Sequence, residues 1–298
     1  MWEKKLQKYG RKRGKQRYHC KSCGHQFCSN RRKSNWVQEA YQEYFIGKQT
    51  LKELRIKYNK SIPTLRKYFD GIKAPSQSLE APPKPINLIL DATFFSRTDG
   101  LLVFRANKVN LFWCNITSET IAKIDECLSI LDSAGYEFKS FTIDGRRGVI
   151  KLLQARYPNI PVQLCHFHQT QIIRRYTTNQ PKTPCGQELK QLMYYITKYN
   201  QEEFESEFSK LQLKYQKFLK ERNENKQFVH RRLRSAFRSL KTNLPYLFTY
   251  KNYPELNIPN TTNSCDGSFA YWKQKLKIHR GLKKHRRNKM INFLMKIS

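Results

Sequence analysis

The 298-residue chain is strongly basic, with 57 lysine and arginine residues against 23 acidic ones and a formal net charge of +34. Its hydrophobic fraction of 39% and aromatic fraction of 13% are sufficient for a folded core and exclude the composition of a disordered chain. We find neither a long apolar run nor a secretion signal, so we expect no membrane span and no export. A protein this basic is expected to bind a polyanion, usually nucleic acid.

Residues 1–33 form a basic segment that contains a Cys-x-x-Cys pair. Cys20 and Cys23, followed by Gly24, match one knuckle of a zinc ribbon, in which a tight turn directs both thiolates at one metal. A ribbon needs two knuckles, so we predict a basic half zinc ribbon with an incomplete Zn²⁺ site, whose other half would lie upstream. The alternatives are a knuckle without metal, or one completed by His19, His25 or Cys28.

Residues 34–73 are predicted to form a helix-turn-helix. Apolar residues recur at helical spacing from Trp36 to Tyr44, and Thr50 and Ser61 are suitable N-caps for two short helices. The alternative is an ordinary helical hairpin, but the charge of the chain favours DNA contact. The second short helix supplies the expected contacts Thr64, Arg66 and Lys67.

A linker rich in proline and serine is predicted over 74–85. After it, apolar runs predict a mixed sheet over 86–184, with two helices between its later strands. The predicted strands lie at 86–95, 101–105, 109–116, 138–143 and 162–164. Three strands, a helix, a strand, a helix and a strand is the element order of the RNase H-like fold.

Residues 185–250 show only helical spacing, so we predict a helical insertion that packs on itself. Residues 251–298 are predicted to hold the final core helix, which begins near Ser264, and a basic tail. The predicted fold class is therefore α+β and multi-domain: a zinc-ribbon remnant and a helix-turn-helix precede an RNase H-like α/β core that an all-helical insertion interrupts.

Two aspartates occupy strand positions that are costly for a charge. Asp91 interrupts an apolar strand, where a carboxylate is unfavourable unless it is paired or binds a cation. Asp144 ends another strand, and two such acids can hold a pair of magnesium ions about 3.5–4 Å apart. Asp266, in the first turn of the last helix, is the expected third acid. A role in a turn or a helix cap explains any single aspartate more simply than a metal site does. To replace the metal site, however, that role would have to hold at all three positions.

A Cys-x-x-His motif, Cys165 and His168, follows the fifth predicted strand. It could be half of a zinc site, but no second half lies nearby in the sequence. We therefore favour a packing and orientation motif, in which His168 supports catalysis close to the reacting phosphate.

Basic residues near both ends of the chain are expected to contact DNA. Lys273 and Lys277 share a helical face with Asp266, although a solvated face is an equally good interpretation for lysines alone. From Lys273 onward the chain has ten lysine or arginine residues and no acid. The other expected contacts in these two regions are Arg11, Lys12, Arg13, Lys15, Arg17, Arg280, Arg286 and Arg287.

Together these motifs resemble those of the Mutator-like superfamily of bacterial insertion-sequence transposases, in particular the group with an N-terminal zinc ribbon. The resemblance spans nearly the whole chain and departs from the family in two places. The third acid of the family is Glu where this chain has Asp266, and only one ribbon knuckle is present. The matching blocks are Leu90–Phe95, Ile143–Gly148, Cys165–His168, Thr261–Gly267 and His279–Leu282.

The resemblance implies a DDE-type enzyme that cuts double-stranded DNA at the terminal inverted repeats of its element and joins the ends to target DNA. It implies that Asp91, Asp144 and Asp266 hold Mg²⁺ or Mn²⁺, and that a homodimer or larger oligomer acts at the nucleoid in the bacterial cytoplasm. The alternative is a catalytically decayed, transposase-derived protein that binds specific DNA. Another RNase H-like nuclease, such as a junction resolvase, fits less well, because the helix-turn-helix and the insertion argue against it.

Overall fold

The computed structural model describes residues 6–12, 14–28, 36–279 and 281–297, which fall into two separately packed units, Met1–Lys73 and Ala74–Ser298. Two of the expected DNA contacts, Arg13 and Arg280, lie outside the described residues. The first unit contains an antiparallel sheet in the order β1-β2-β3 and three helices. These elements are β1 (Leu6–Lys12), β2 (Lys15–Cys20), β3 (Gln26–Cys28), α1 (Trp36–Phe45), α2 (Leu51–Tyr58) and α3 (Ile62–Gly71).

The starts of α2 and α3 are capped as predicted. The Thr50 hydroxyl accepts a hydrogen bond from the Glu53 amide at 3.3 Å, and Glu53 accepts one from the Thr50 amide at 2.6 Å. Ser61 caps α3 by accepting from the Thr64 amide at 3.3 Å. Each cap pairs a backbone N–H group that has no partner within the helix. The helices enclose a small core around Leu54.

The second unit is built on a mixed five-stranded sheet in the order β6-β5-β4-β7-β8. Its strands are β4 (Ile86–Ser96), β5 (Asp99–Ala106), β6 (Val109–Ile116), β7 (Phe138–Ile143) and β8 (Val162–Leu164). β4, β5 and β6 are mutually antiparallel neighbours, whereas β7 and β8 run parallel to β4. All five predicted strands are confirmed, and so is the α+β class with a mixed sheet.

Helices cover both faces of this sheet. Strand residues alternate between the faces, so Leu88 and Leu90 of β4 join one large apolar cluster while Ile89 and Asp91 point to the other side. On that other side α12 packs on β4, and α13 packs on β6. The helices are α4 (Ile121–Ser133), α5 (Arg147–Arg156), α6 (His166–Thr177), α7 (Pro184–Tyr194), α8 (Gln201–Lys214), α9 (Gln216–Lys220), α10 (Arg231–Asn243), α11 (Thr249–Asn252), α12 (Asn263–Ile278) and α13 (Lys284–Ile297).

The helical stretch over 185–250 does not pack only on itself, so that expectation was wrong. Leu189, Phe204 and Leu240 belong to the same apolar cluster as Leu88 and Phe141 of the sheet. Helix α10 packs along α6, the helix that carries the Cys-x-x-His motif. The stretch is therefore part of the core that supports the sheet.

The proline- and serine-rich stretch after the first unit docks on the edge of the sheet. The Gln77 side chain donates to the Trp113 carbonyl at 2.9 Å and accepts from the Trp113 amide at 3.1 Å. Tyr136 donates to the Glu80 carbonyl at 3.0 Å. Because β6 is an edge strand, the Gln77 amide replaces part of a missing neighbouring strand.

Candidate functional site

Three side chains singled out in the sequence meet at one end of the five-stranded sheet. Asp91 on β4, His168 on α6 and Asp266 on α12 each offer one ligand atom, and these atoms all lie within 4.8 Å of one another. Asp91 is buried, and the other two are half-buried. Two carboxylates and an imidazole at this spacing form a donor set that suits a divalent cation.

Asp91 has one oxygen without a protein partner among the described residues. Its Oδ1 accepts from the Ala92 amide at 2.8 Å, while the buried Oδ2 accepts no hydrogen bond. Burial raises the pKa of Asp91 to about 7, attraction to His168 lowers it, and repulsion from Asp266 and Asp144 raises it further. A buried carboxylate oxygen without a donor is costly, and a bound cation would remove that cost. The site therefore fits a metal ion.

Asp144 lies beside this group but not within it. Ile89 of β4 is aligned with Thr142 of β7, so Asp91 and Asp144 come two residues later at the same level of neighbouring strands. Burial raises the pKa of Asp144, although attraction to His168 lowers it. In the tight group of ligand atoms His168 stands where Asp144 was expected. A metal held jointly by all three acids stays a prediction.

Asp266 is positioned by a loop fastened to the end of the sheet. The Thr142 hydroxyl donates to the Pro259 carbonyl at 2.8 Å, and the His166 amide donates to the Asn260 carbonyl at 2.9 Å. Helix α12 begins a few residues later, with Asp266 in its first turn. The two hydrogen bonds connect β7 and α6 to the segment that precedes the third acid, so α12 starts at a defined place above the sheet.

The Cys-x-x-His motif orients His168 through a threonine that the sequence did not single out. Thr262 is the N-cap of α12, but its hydroxyl caps no amide. Its amide donates to Cys165 Sγ at 3.2 Å, and its hydroxyl lies 3.3 Å from both His168 Nδ1 and Asp266 Oδ2. A threonine where a helix begins predicts a cap, and this second use cannot be read from the local sequence.

The charges of the motif respond to these contacts. The hydrogen bond with Cys165 raises the pKa of His168 to about 9, burial opposes the rise, and the nearby acids Asp91 and Asp266 add to it. Burial raises the pKa of the Cys165 thiol, but hydrogen bonds with His168 and Thr262 outweigh burial and leave the pKa below its ordinary value. Without a metal, His168 is therefore an imidazolium between carboxylates at neutral pH.

An ion pair lies near Asp144. Glu119, which precedes α4, lies 2.8 Å from the Arg146 guanidinium. Burial raises the pKa of Glu119, and repulsion from Asp144 raises it further. Sequence spacing did not reveal this pair, because the two residues belong to different loops that meet only in the folded sheet.

The C-terminal end of α10 also reaches the site. A Cβ on Gly145 would lie 3.1 Å from Asn243 Nδ2, and Asn243 donates to Gln169 of α6 at 2.7 Å. The Arg147 guanidinium donates to the Thr242 hydroxyl at 3.0 Å. The glycine after Asp144 therefore leaves room for an asparagine from the helical stretch, a contact that sequence separation conceals.

The expected DNA contacts that the structure describes lie on surface elements. Arg11 and Lys12 on β1, Lys15 on β2, Arg66 and Lys67 on α3, and Lys273 and Lys277 on α12 are exposed. Those that are half-buried are Arg17, Thr64, Arg286 and Arg287. Arg287 forms an ion pair with the buried Asp99, so its charge is partly neutralised within the protein.

Cys20 ends β2, and Cys23 lies in the turn that connects β2 to β3. The Gly24 amide donates to the Cys20 carbonyl at 2.9 Å, and Gly24 takes a φ of +70°, which explains the glycine there. A hydrogen bond with the Ser22 hydroxyl lowers the pKa of Cys20 to about 7. Within the described part of the chain, no third ligand joins the two thiols at metal-binding spacing. Zinc binding here stays a prediction.

No protein-family model matches the chain, and no curated protein matches its sequence. Nor is any helix in the described ranges both long enough and apolar enough to cross a lipid bilayer.

Proposed function

We propose that the chain is a DNA transposase of the RNase H-like, carboxylate-dependent type. It cleaves DNA at the ends of its element and joins those ends to target DNA. The observation that carries the proposal is the cluster of Asp91, His168 and Asp266, with Asp144 beside it, at the end of a sheet in a strongly basic chain. The order of the elements in the second unit also supports the RNase H-like assignment: three strands are followed by a helix, a strand, a helix and a strand.

Asp91, Asp266 and His168 would hold a divalent cation, Mg²⁺ or Mn²⁺, with Asp144 available beside them. When bound, such a cation activates the attacking water or 3′-hydroxyl and neutralises charge on the phosphate. Binding requires His168 to lose its proton, which makes the affinity pH-dependent. Thr262 meanwhile holds the imidazole and the Asp266 carboxylate in their relative positions.

A stripe of cations on α10 supports a polyanionic substrate. Arg231, Arg234, Arg238 and Lys241 follow one another at spacings of three and four residues, which places them along one helical face. The helix has no acidic residue, and its last turn lies beside the residues that follow Asp144. Together with α12, this face would hold the phosphate backbone of double-stranded DNA, and α3 would contact DNA from its own unit. The protein would act as a dimer or larger oligomer.

The test is cleavage and joining of a labelled duplex taken from the DNA that flanks the gene, in Mg²⁺ or Mn²⁺. Asp91→Asn is expected to lower the rate by about a thousandfold or more, because loss of a metal ligand removes both activation and charge stabilisation. Asp125→Asn is the matched control, since Asp125 pairs with Arg156 away from the site. Equal rates for parent and Asp91→Asn would contradict the proposal.

One observation favours a second candidate function, a DNA-binding protein that has lost catalysis. A protonated His168 offsets part of the negative charge of Asp91 and Asp266 without a cation. Asp266 also has a shorter side chain than the Glu of the family that the sequence resembles. Specific binding of the flanking duplex, with neither cleavage nor joining in either metal, would support this candidate.

A further inference from the structure

A cavity of about 370 Å³ lies between the end of β4, the C-terminal part of α12 and the beginning of α13. Its lining combines aromatic rings with cations, and its volume is that of a pocket for a small organic group. The lining residues that matter are Phe94, Phe95, Lys273, Lys277 and Arg287. No part of the chemistry proposed above uses the two phenylalanines.

A register irregularity in β4 lies at the two phenylalanines that line this cavity. The pairing of β4 with β5 shifts register between Phe94 and Ser96, and such a bulge changes the direction of side chains. The Phe94 ring lies against Gly100 of β5, where a Cβ would come within 2.7 Å of it. The residue as a whole is nevertheless 37% exposed. Backed by a glycine and open to solvent, Phe94 is a suitable platform for a planar group.

The cavity lies farther along β4 and α12 than the candidate metal centre. Phe94 lies three residues beyond Asp91, about 10 Å along the strand, and it lines the cavity together with Lys273 of α12. Lys273 lies two helical turns beyond Asp266, which is also about 10 Å. Lys273 and Lys277 are both exposed and occupy successive turns of the same face of α12. A strand of DNA bound at the site would therefore pass the aromatic ring and the two lysines together.

We propose that this cavity holds one unpaired nucleotide of the DNA strand bound at the site, with its base stacked on Phe94 and its phosphates against Lys273 and Lys277. The inference rests on the proposed function for the identity of the substrate. A simple anion site would not need the exposed ring, and an apolar surface for a second protein copy would not be lined by lysines. A stacked base on an aromatic ring beside cations satisfies both features.

The test measures binding of the full chain to single-stranded oligothymidine in EDTA, with the same oligomer carrying abasic sites as the second probe. Phe94→Leu is expected to weaken binding of oligothymidine about tenfold and to leave the abasic probe unchanged, because only stacking is lost. Lys273→Gln should weaken both probes and lower the salt dependence. Phe94→Tyr, which keeps the ring, should bind as the parent does.

Tyr194→Leu is the matched control, because Tyr194 is an exposed aromatic residue on α7 outside the cavity. Phe94→Leu that weakens both probes equally, or neither, would overturn the inference. Because the assay uses no metal, its result is independent of cleavage. If the protein cleaves DNA but binds the oligothymidine and the abasic probe alike, only the proposal for the cavity fails. If it prefers the oligothymidine but does not cleave DNA, only the proposed enzymatic activity fails.

Discussion

Replacing Asp91 with Asn is expected to stabilise the metal-free protein, although it removes metal binding. Burial, with repulsion from Asp266 and Asp144, raises the pKa of Asp91 from 3.8 to about 7. A carboxyl group whose pKa is raised by folding costs little stability below its unfolded pKa. The cost then grows as the pH rises, and it is complete above the folded pKa. From the folded and unfolded pKa values of Asp91, this loss of stability is about 1.5 kcal/mol at pH 5 and about 4 kcal/mol at pH 8.

Asparagine keeps the oxygen that accepts from the Ala92 amide and removes the charge. We therefore expect Asp91→Asn to unfold at higher urea concentration than the parent in EDTA at pH 8, by about 2–4 kcal/mol, with a smaller difference at pH 5. Saturating Mn²⁺ should reverse the order, because only the parent gains binding free energy. Asp125→Asn serves as control. A variant no more stable than the parent at pH 8, or an advantage that does not grow from pH 5, would refute the reasoning.

Three further predictions concern Asp266, the Cys-x-x-His motif and the N-terminal unit. Asp266→Asn should abolish joining of a labelled duplex, and an Asn variant as active as the parent would remove Asp266 from the site. If the shorter side chain of Asp266 limits the parent, Asp266→Glu should join the duplex faster than the parent does. Cys165→Ala should lower the pKa of His168 in NMR titrations, because the hydrogen bond that chiefly raises it is lost; an unchanged pKa would contradict that cause. Removing residues 1–72 should abolish the preference for element ends but leave salt-sensitive binding, and a truncated protein that still selects those ends would show that recognition lies elsewhere.

Local features of this fold were predictable because their causes are local. Thr50 and Ser61 begin helices because their hydroxyls reach an amide three residues on, and this depends only on neighbouring sequence. The apolar run around Asp91 predicted a strand for the same reason. The candidate site was foreseen in part, since an acid within such a strand is unexpected without a partner.

Features set by contacts between distant segments were not predictable. That His168, rather than Asp144, joins the tight group depends on how α6 and α12 meet, and Thr262 fixes this across nearly a hundred residues. Asn243 approaches Gly145 from a helical stretch that sequence alone assigned to an independent insertion. Spacing along the chain carries no information on either contact, because both arise from tertiary packing.

Anomalous diffraction from crystals grown with Mn²⁺ tests the central claim most directly. We expect an anomalous peak within coordination distance of Asp91, Asp266 and His168, near Asp144, and we expect Asp91→Asn to eliminate it. Crystals in which Mn²⁺ is absent from this cluster, while a protonated His168 bridges the two carboxylates, would contradict it.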